Sequence, residues 1–566
     1  MLSLVLSLLA TLASVSARSP YEVPKAEWDA LNTTVGGRLA FGVPLARSCF
    51  QQAGANVTSG GPDCATVQAK YGLDTFRVTQ FGAMMRTQWE TCQKTDGGCL
   101  LDSDKPTNVT AFAAPRICNQ GSVAPYYISV KTAADVVQAF SFCKRTGVPI
   151  SVKNTGHDYA GKSSAPGTLA LWTHNVKYIN YTASFVPDGC SIPGVPALTY
   201  GAGQDFESIY LFAEAKNITF IGGSAKTVGA AGGWIMGGGH SVLSNTYGLG
   251  ADRVLQFRVV TPDGRYRTVN SCTDADLFWA LRGGGGGTFG VVMEVTSEVV
   301  PNRVPTIAFH WQLDPTSANS DALRTVVVEN SLQLVKDGWG GYIYSGAGIL
   351  ANPKLTGSAA AASLKPLTDM LKAAGAQGKW ESYPSYLPLF SAIGSTPIAA
   401  GINGALSSRL IPQTLFTTPQ SKALLSNALK ATMTQPNTDT GLFLTTPFNY
   451  IPKPNSTSVT PAWRGAVWHV VTATHWDWDA GAAASKAGYV SVYNAIESLR
   501  RVTPNGGAYL NEADVYEPNI NATFWGTENT RSLDAVKKKY DPSGLLGCWH
   551  CFGWKDKSAP IASCYF

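Results

Sequence analysis

Hydrophobic and polar positions alternate with two different periods through the first half of this chain. Tyr127-Ile128-Ser129-Val130 and Val148-Pro149-Ile150-Ser151-Val152-Lys153 have the short, β-branched character of strands. Between them the apolar residues fall at helical spacing from Thr132 to Phe140, with Thr132 as N-cap and Asp135 at N3. Arg145-Thr146-Gly147 then supplies the basic residue and the glycine that close a helix. The order strand, helix, strand puts the turn Asn154-Thr155-Gly156-His157-Asp158-Tyr159 at a strand end, where open α/β sheets collect ligands.

Further strands are expected at 198–202, 254–260 and 291–299, with Pro262-Asp263-Gly264 turning a hairpin. From Pro301 to about Asn505 the pattern gives strands at 306–313 and 341–346 and helices at 320–334 and 484–501. That mixture predicts an antiparallel sheet covered by helices. Trp463, Trp468, Trp476 and Trp478 accumulate in this region and are expected to pack in a core rather than to wall a substrate. His469 and His475 lack the spacing or carboxylate partner that marks a metal site, so no metal is expected.

Two glycine-dense loops follow the histidine turn, Gly222 to Gly239 and Gly283 to Gly290. Each glycine loses more backbone entropy on folding than any other residue, and a large anionic ligand needing bare N–H groups would offset that cost. No G-x-G-x-x-G opens a helix after a strand here, so a nicotinamide-type fingerprint is absent.

With 566 residues the chain exceeds what one core supports, and two domains are expected. Its 14% charged and 45% hydrophobic content describes a packed globular protein. The net charge of +6 is thinly spread, with Lys537-Lys538-Lys539 as the basic run; a solvated helix face is expected there, and no nucleic-acid partner. Leu2 to Val15 is apolar but too short to span a bilayer, and it ends in Val15-Ser16-Ala17, a signal-peptidase pattern. The expectation is a signal peptide at 1–17, a secreted mature chain beginning at Arg18, and no membrane span within it. Sequons at Asn32, Asn56, Asn108, Asn180, Asn217, Asn455 and Asn521 are candidate glycosylation sites. The eleven cysteines agree with an oxidising compartment, and the odd count leaves at least one thiol unpaired. Cys92 to Cys99, across Asp96-Gly97-Gly98, is the expected bridge; Cys548-Trp549-His550-Cys551 is read as structural rather than as a redox or metal pair.

The run Val152 to Tyr159, Lys226-Thr227-Val228-Gly229 with its following glycines, Leu281-Arg282-Gly283 to Gly290, and Ala508-Tyr509-Leu510-Asn511-Glu512-Ala513-Asp514 together resemble the berberine-bridge-enzyme-like branch of the vanillyl-alcohol-oxidase (PCMH-type) FAD-linked oxidases. Phe524-Trp525-Gly526 and Lys538-Lys539-Tyr540-Asp541-Pro542 strengthen the match, and within the family the chain looks most like fungal isoamyl-alcohol-oxidase-like proteins. The resemblance implies an α+β fold: a PCMH-type FAD-binding domain at 115–300, a substrate domain at 301–505, and a C-terminal segment at 506–566 returning to the FAD domain, after a disulfide-containing segment at 18–114.

The resemblance also implies FAD bonded covalently through His157. Ala225 stands where bicovalent relatives carry cysteine, so a single link is implied. Lys153 would offer a point charge to phosphate, and further contacts would come from Asn154, Thr155, Gly156, Asp158, Thr227, Val228, Gly229, Gly233, Gly290, Val291 and Val292. Tyr509, Asn511 and Glu512 match a Tyr-x-Asn-Tyr element with glutamate in the last place. Tyr509 and Glu512 are both candidates for the base, with Asn511 positioning the ring; Glu512 as a mere structural ion pair is the competing reading. The activity implied is hydride transfer from an alcohol or similar carbon centre to FAD, with dioxygen as acceptor giving hydrogen peroxide. The alternative is an oxidative cyclase in specialised-metabolite biosynthesis.

Overall fold

The helix after the first expected strand runs Ala133–Thr146 and is closed at both ends by the residues that predicted it. Asp135 Oδ2 accepts from the Thr132 N–H at 2.9 Å, and Gly147 takes φ 78°, a left-handed value that costs glycine nothing. The structure, a computed structural model, describes residues 18–394, 399–554 and 560–566; the expected signal peptide lies outside them.

Among the described residues the chain builds three larger sheets and one short parallel pair. The first sheet has the order Leu39–Phe41, Tyr126–Ser129, Leu169–Trp172, Ile150–Lys153, with its last three strands parallel and the first antiparallel at the edge. The second is antiparallel throughout: Tyr266–Asn270, Val254–Val260, Val291–Glu298, Val195–Gly201, Ile179–Phe185. The third is a seven-stranded antiparallel sheet in the order Gln377–Tyr383, Thr306–Gln312, Ala347–Asn352, Gly340–Ile343, Asp439–Phe443, Ala466–Trp476, Asn403–Pro412. This is the α+β class expected.

The helices Ser317–Lys336, Gly357–Ala373, Pro419–Met433 and Gly481–Val502 cover the third sheet. Gly481–Val502 does so because Ser485, Tyr489, Val492, Ile496 and Leu499 recur at three- and four-residue steps and form one buried stripe. Tyr489 and Val492 pack with Met84 and Trp89, while Ile496 and Leu499 join Phe309, Trp311, Leu323 and Leu429 in the core. Trp468 is fully buried there, edge-on to Phe416 at 4.7 Å, so its place is core packing as expected.

The cysteine pairing corrects one expectation. Cys92 does not bond Cys99: it pairs with Cys564, and Cys99 pairs with Cys118. The Asp96-Gly97-Gly98 turn does close, with Cys92 N–H on Gly97 O, but the C-terminal tail returns to this loop, Tyr565 packs at 5.6 Å from Trp89, and Cys564 arrives beside Cys92. Cys548 and Cys551 bond each other, as the structural reading had it. Cys49–Cys64 and Cys190–Cys272 complete the pairs, and Cys143 is the free thiol, buried. In the lysine run, Lys538 and Lys539 are exposed and paired with Asp534 and Asp276, whereas Lys537 turns inward to Asp541 and to the carbonyls of Thr288 and Leu546.

Candidate functional site

The strand Ile150–Lys153 ends in the predicted turn, and the turn opens into a cavity of about 1330 Å3, its mouth included. Asn154, Thr155, Gly156, His157, Asp158, Val228, Gly229, Gly233, Gly290, Val292, Tyr509, Asn511 and Glu512 all line it, together with Ala225. Lys153, Thr227 and Val291 do not.

Lys153 corrects the expectation of a phosphate contact. Its Nζ turns away from the cavity and donates to the carbonyls of Gln80 at 3.2 Å, Phe81 at 2.6 Å and Ala83 at 2.5 Å. All three of its N–H donors are thereby used, and burial pushes the ammonium down to about 7. It straps the strand end to the loop at 80–83.

Two observations favour a ligand that carries hydrogen-bond donors and approaches the backbone closely. Asn154 Oδ1 is buried without a partner, an acceptor awaiting a donor, and a Cβ built on Gly233 would meet no heavy atom within 4 Å. Other glycines serve packing instead: a Cβ on Gly283, where φ is +141°, would stand 2.2 Å from Val459 N. Asp158 spends its carboxylate on the N–H groups of Ala160 and Ser163, at 3.0 and 2.6 Å, so it shapes the turn.

His157 Nε2 lies 2.7 Å from Thr227 Oγ1, which donates to Asp74 Oδ2 at 2.9 Å. Burial is the main cause that brings the imidazole down to about 4, with Asp74 opposing and Arg86 assisting, so the ring is neutral near pH 7. A neutral imidazole keeps a nucleophilic lone pair.

The C-terminal segment reaches the same cavity. Asn511 Nδ2 donates to Gly233 O at 2.7 Å and to the Tyr509 hydroxyl at 2.9 Å, pinning the glycine loop. Tyr509 is 1% exposed, and burial together with the neighbouring Glu512 charge pushes its phenol up, so it is a poor base. Glu512 Oε2 lies 2.9 Å from His469 Nε2, and both its oxygens lie 3.3 Å from His240 Nε2. Burial opposes its charge, but His240 and His469 outweigh that and hold the carboxyl well below the usual carboxylate range. His469 therefore does have a carboxylate partner, contrary to the sequence expectation; Ala466–Trp476 delivers it from the far sheet. Trp463 packs 5.5 Å from His469 and 5.6 Å from Tyr509, behind the cluster.

His240 was not singled out by sequence. Its signal is that it is the polar residue closing the run Gly237-Gly238-Gly239. The ligand atoms of His240, His469 and Glu512 lie within 4.8 Å of one another, a spacing a cation can also use. Both Nδ1 atoms are buried without a partner, however, so neither ring has the outer hydrogen bond that orients a metal-ligating histidine.

Fold and cavity together define a flavin-binding oxidoreductase, and comparison with known proteins gives the family. Residues 124–270 match the family described as "FAD binding domain", and residues 508–547 match "Berberine and berberine like". The chain is 38% identical over 568 residues to the FAD-linked oxidoreductase ffsJ of Aspergillus flavipes, covering 93% of this chain and 92% of that one. It is 30% identical over 548 residues to the bifunctional decalin synthase calF of Penicillium decumbens, covering 93% and 90%. The crystal structure of the VAO-type flavoprotein MtVAO615 from Myceliophthora thermophila C1 superposes with TM-score 0.83 at 27% identity, covering 97% and 98%. The chain belongs to the FAD-linked oxidoreductases of the VAO and berberine-bridge-like family.

Proposed function

We propose that this protein is a secreted oxidase that takes hydride from an alcohol or similar carbon centre, with FAD held by one covalent bond through His157 and dioxygen as the acceptor that yields hydrogen peroxide. The observation that carries the reading is the His240–Glu512–His469 cluster on the cavity wall. Oxidising an alcohol requires that the hydroxyl proton leave as hydride departs. Bound FAD would supply the two-electron acceptor. Glu512 is the member with the most surface, 22% of its side chain, and its carboxylate accepts the hydrogen bond from the substrate hydroxyl. Alone it holds a proton weakly. Glu512 with two histidines at 2.9 and 3.3 Å forms a coupled unit, and the unit takes the proton. Tyr509 and Asn511 hold the glycine loop against this group.

Three features support the choice of anchor, compartment and modification. The neutral His157 faces the cavity, and Ala225 there has no thiol for a second bond. Five disulfides suit an oxidising compartment. Asn56, Asn180, Asn217, Asn455 and Asn521 are exposed, as glycan acceptors must be, while Asn32 and Asn108 are half-buried. No helix of the described residues is long and apolar enough to cross a membrane.

Release of peroxide across a panel of primary and secondary alcohols tests the reading. Turnover of at least one class of alcohol is expected, and a flavin-loaded protein that yields no peroxide with any of them would overturn it. A relative that is named a decalin synthase favours, as second reading, an oxidative cyclisation on the same flavin. That reading gains if a polyene substrate is cyclised where alcohols are inert.

A further inference from the structure

We propose that Asp74 and Thr227 form a relay that presents His157 for covalent attachment of the flavin; this rests on the reading of His157 as the anchor. Asp74 Oδ2 can only accept, so the single proton of the Thr227 hydroxyl, 2.9 Å away, is donated to it. The Thr227 oxygen is then left with lone pairs, and the His157 Nε2 at 2.7 Å must be the donor to it. This fixes the tautomer: the proton is on Nε2 and the lone pair is on Nδ1. No group among the described residues bonds Nδ1, and the ring lines the cavity.

Asp74 is itself held. Its Oδ1 accepts the Thr75 N–H at 2.8 Å, and it opens the short helix Asp74–Arg77, whose Arg77 is locked in the interior by Glu90 and by the carbonyls of Tyr71 and Met84. The relay thus reaches His157 from a segment outside the matched residues 124–270.

The step balances with dioxygen as oxidant. A bond forms between Nδ1 and the 8α carbon of the flavin, one C–H bond of that methyl group breaks, and the freed electron pair reduces the flavin by two electrons. The Nε2 proton leaves through Thr227 to Asp74, which is half-buried and can exchange with water. That proton and the one from the methyl group reach the reduced flavin by way of solvent, and dioxygen reoxidises it to give hydrogen peroxide. Without the relay the alternative tautomer would place the proton on Nδ1 and the lone pair on the wrong side.

The test measures acid-stable flavin, by gel fluorescence after acid precipitation, beside total FAD per chain by absorbance. Asp74→Asn and Thr227→Val should bind FAD but lower the acid-stable fraction about tenfold or more, the scale of a lost charge-assisted hydrogen bond. Thr227→Ser keeps the hydroxyl and should stay near wild type, and His157→Ala should have none. Wild-type levels of acid-stable flavin in both Asp74→Asn and Thr227→Val would overturn the relay while leaving His157 as anchor. No acid-stable flavin in the wild-type protein would overturn the anchor itself. Should Asp74→Asn fail to fold, the Thr227→Val and Thr227→Ser pair decides alone.

Discussion

Glu512→Gln should lower kcat by about a hundredfold to ten-thousandfold, with KM and FAD content little changed. The substitution keeps the shape of the side chain and removes its charge. A neutral amide at 2.9 Å from His469 and 3.3 Å from His240 can still hydrogen-bond one ring, so the cavity stays formed. What is lost is the negative charge that lets the unit take up the substrate proton. Tyr509 cannot replace it, because its buried phenol is pushed up rather than down. The check is the rate of peroxide release with a saturating alcohol, normalised to bound flavin. A rate near that of the wild type would leave Glu512 as a structural ion pair.

Arg77→Leu should cost about 3–5 kcal/mol of stability, because it leaves a buried carboxylate unpaired. Arg77 is fully buried and Glu90 is 2% exposed; the guanidinium bonds Glu90 and also donates to Met84 O at 2.9 Å and Tyr71 O at 3.0 Å. Burial raises the Glu90 carboxyl, with Arg77 the main opposing influence, so loss of Arg77 drives Glu90 toward the protonated form. The site is coupled to the loop that Lys153 straps, so flavin content should fall with stability. Denaturant unfolding followed by tryptophan fluorescence, disulfides kept intact, checks the figure; a loss under about 1 kcal/mol would mean that the pair behaves like an exposed one.

What the sequence could show followed from local pattern. Val254–Val260 coincides with its expected strand, and the Thr132, Asp135 and Gly147 signals bracket Ala133–Thr146 because caps act within one turn. His157, Asn511 and Glu512 were legible because each sits in a short motif. His240 and Asp74 were not, since their meaning lies in partners brought from other elements: Glu512 is 272 residues from His240, and Thr227 is 153 from Asp74. The Cys92–Cys564 bridge, which spans 472 residues, likewise competes with a near neighbour that spacing favours. Lys153 misled for a related reason. A cation at a strand end reads as a ligand contact until the carbonyls of Gln80, Phe81 and Ala83 arrive from a different segment.

The most direct measurement is the anaerobic half-reaction. Purified protein is mixed without oxygen with an alcohol that gives peroxide in the panel, and the flavin absorbance is followed. The account predicts bleaching of the flavin, return of its colour on admitting air with one peroxide formed per flavin, and a chromophore that stays with the chain after acid. A flavin that no alcohol bleaches would contradict it.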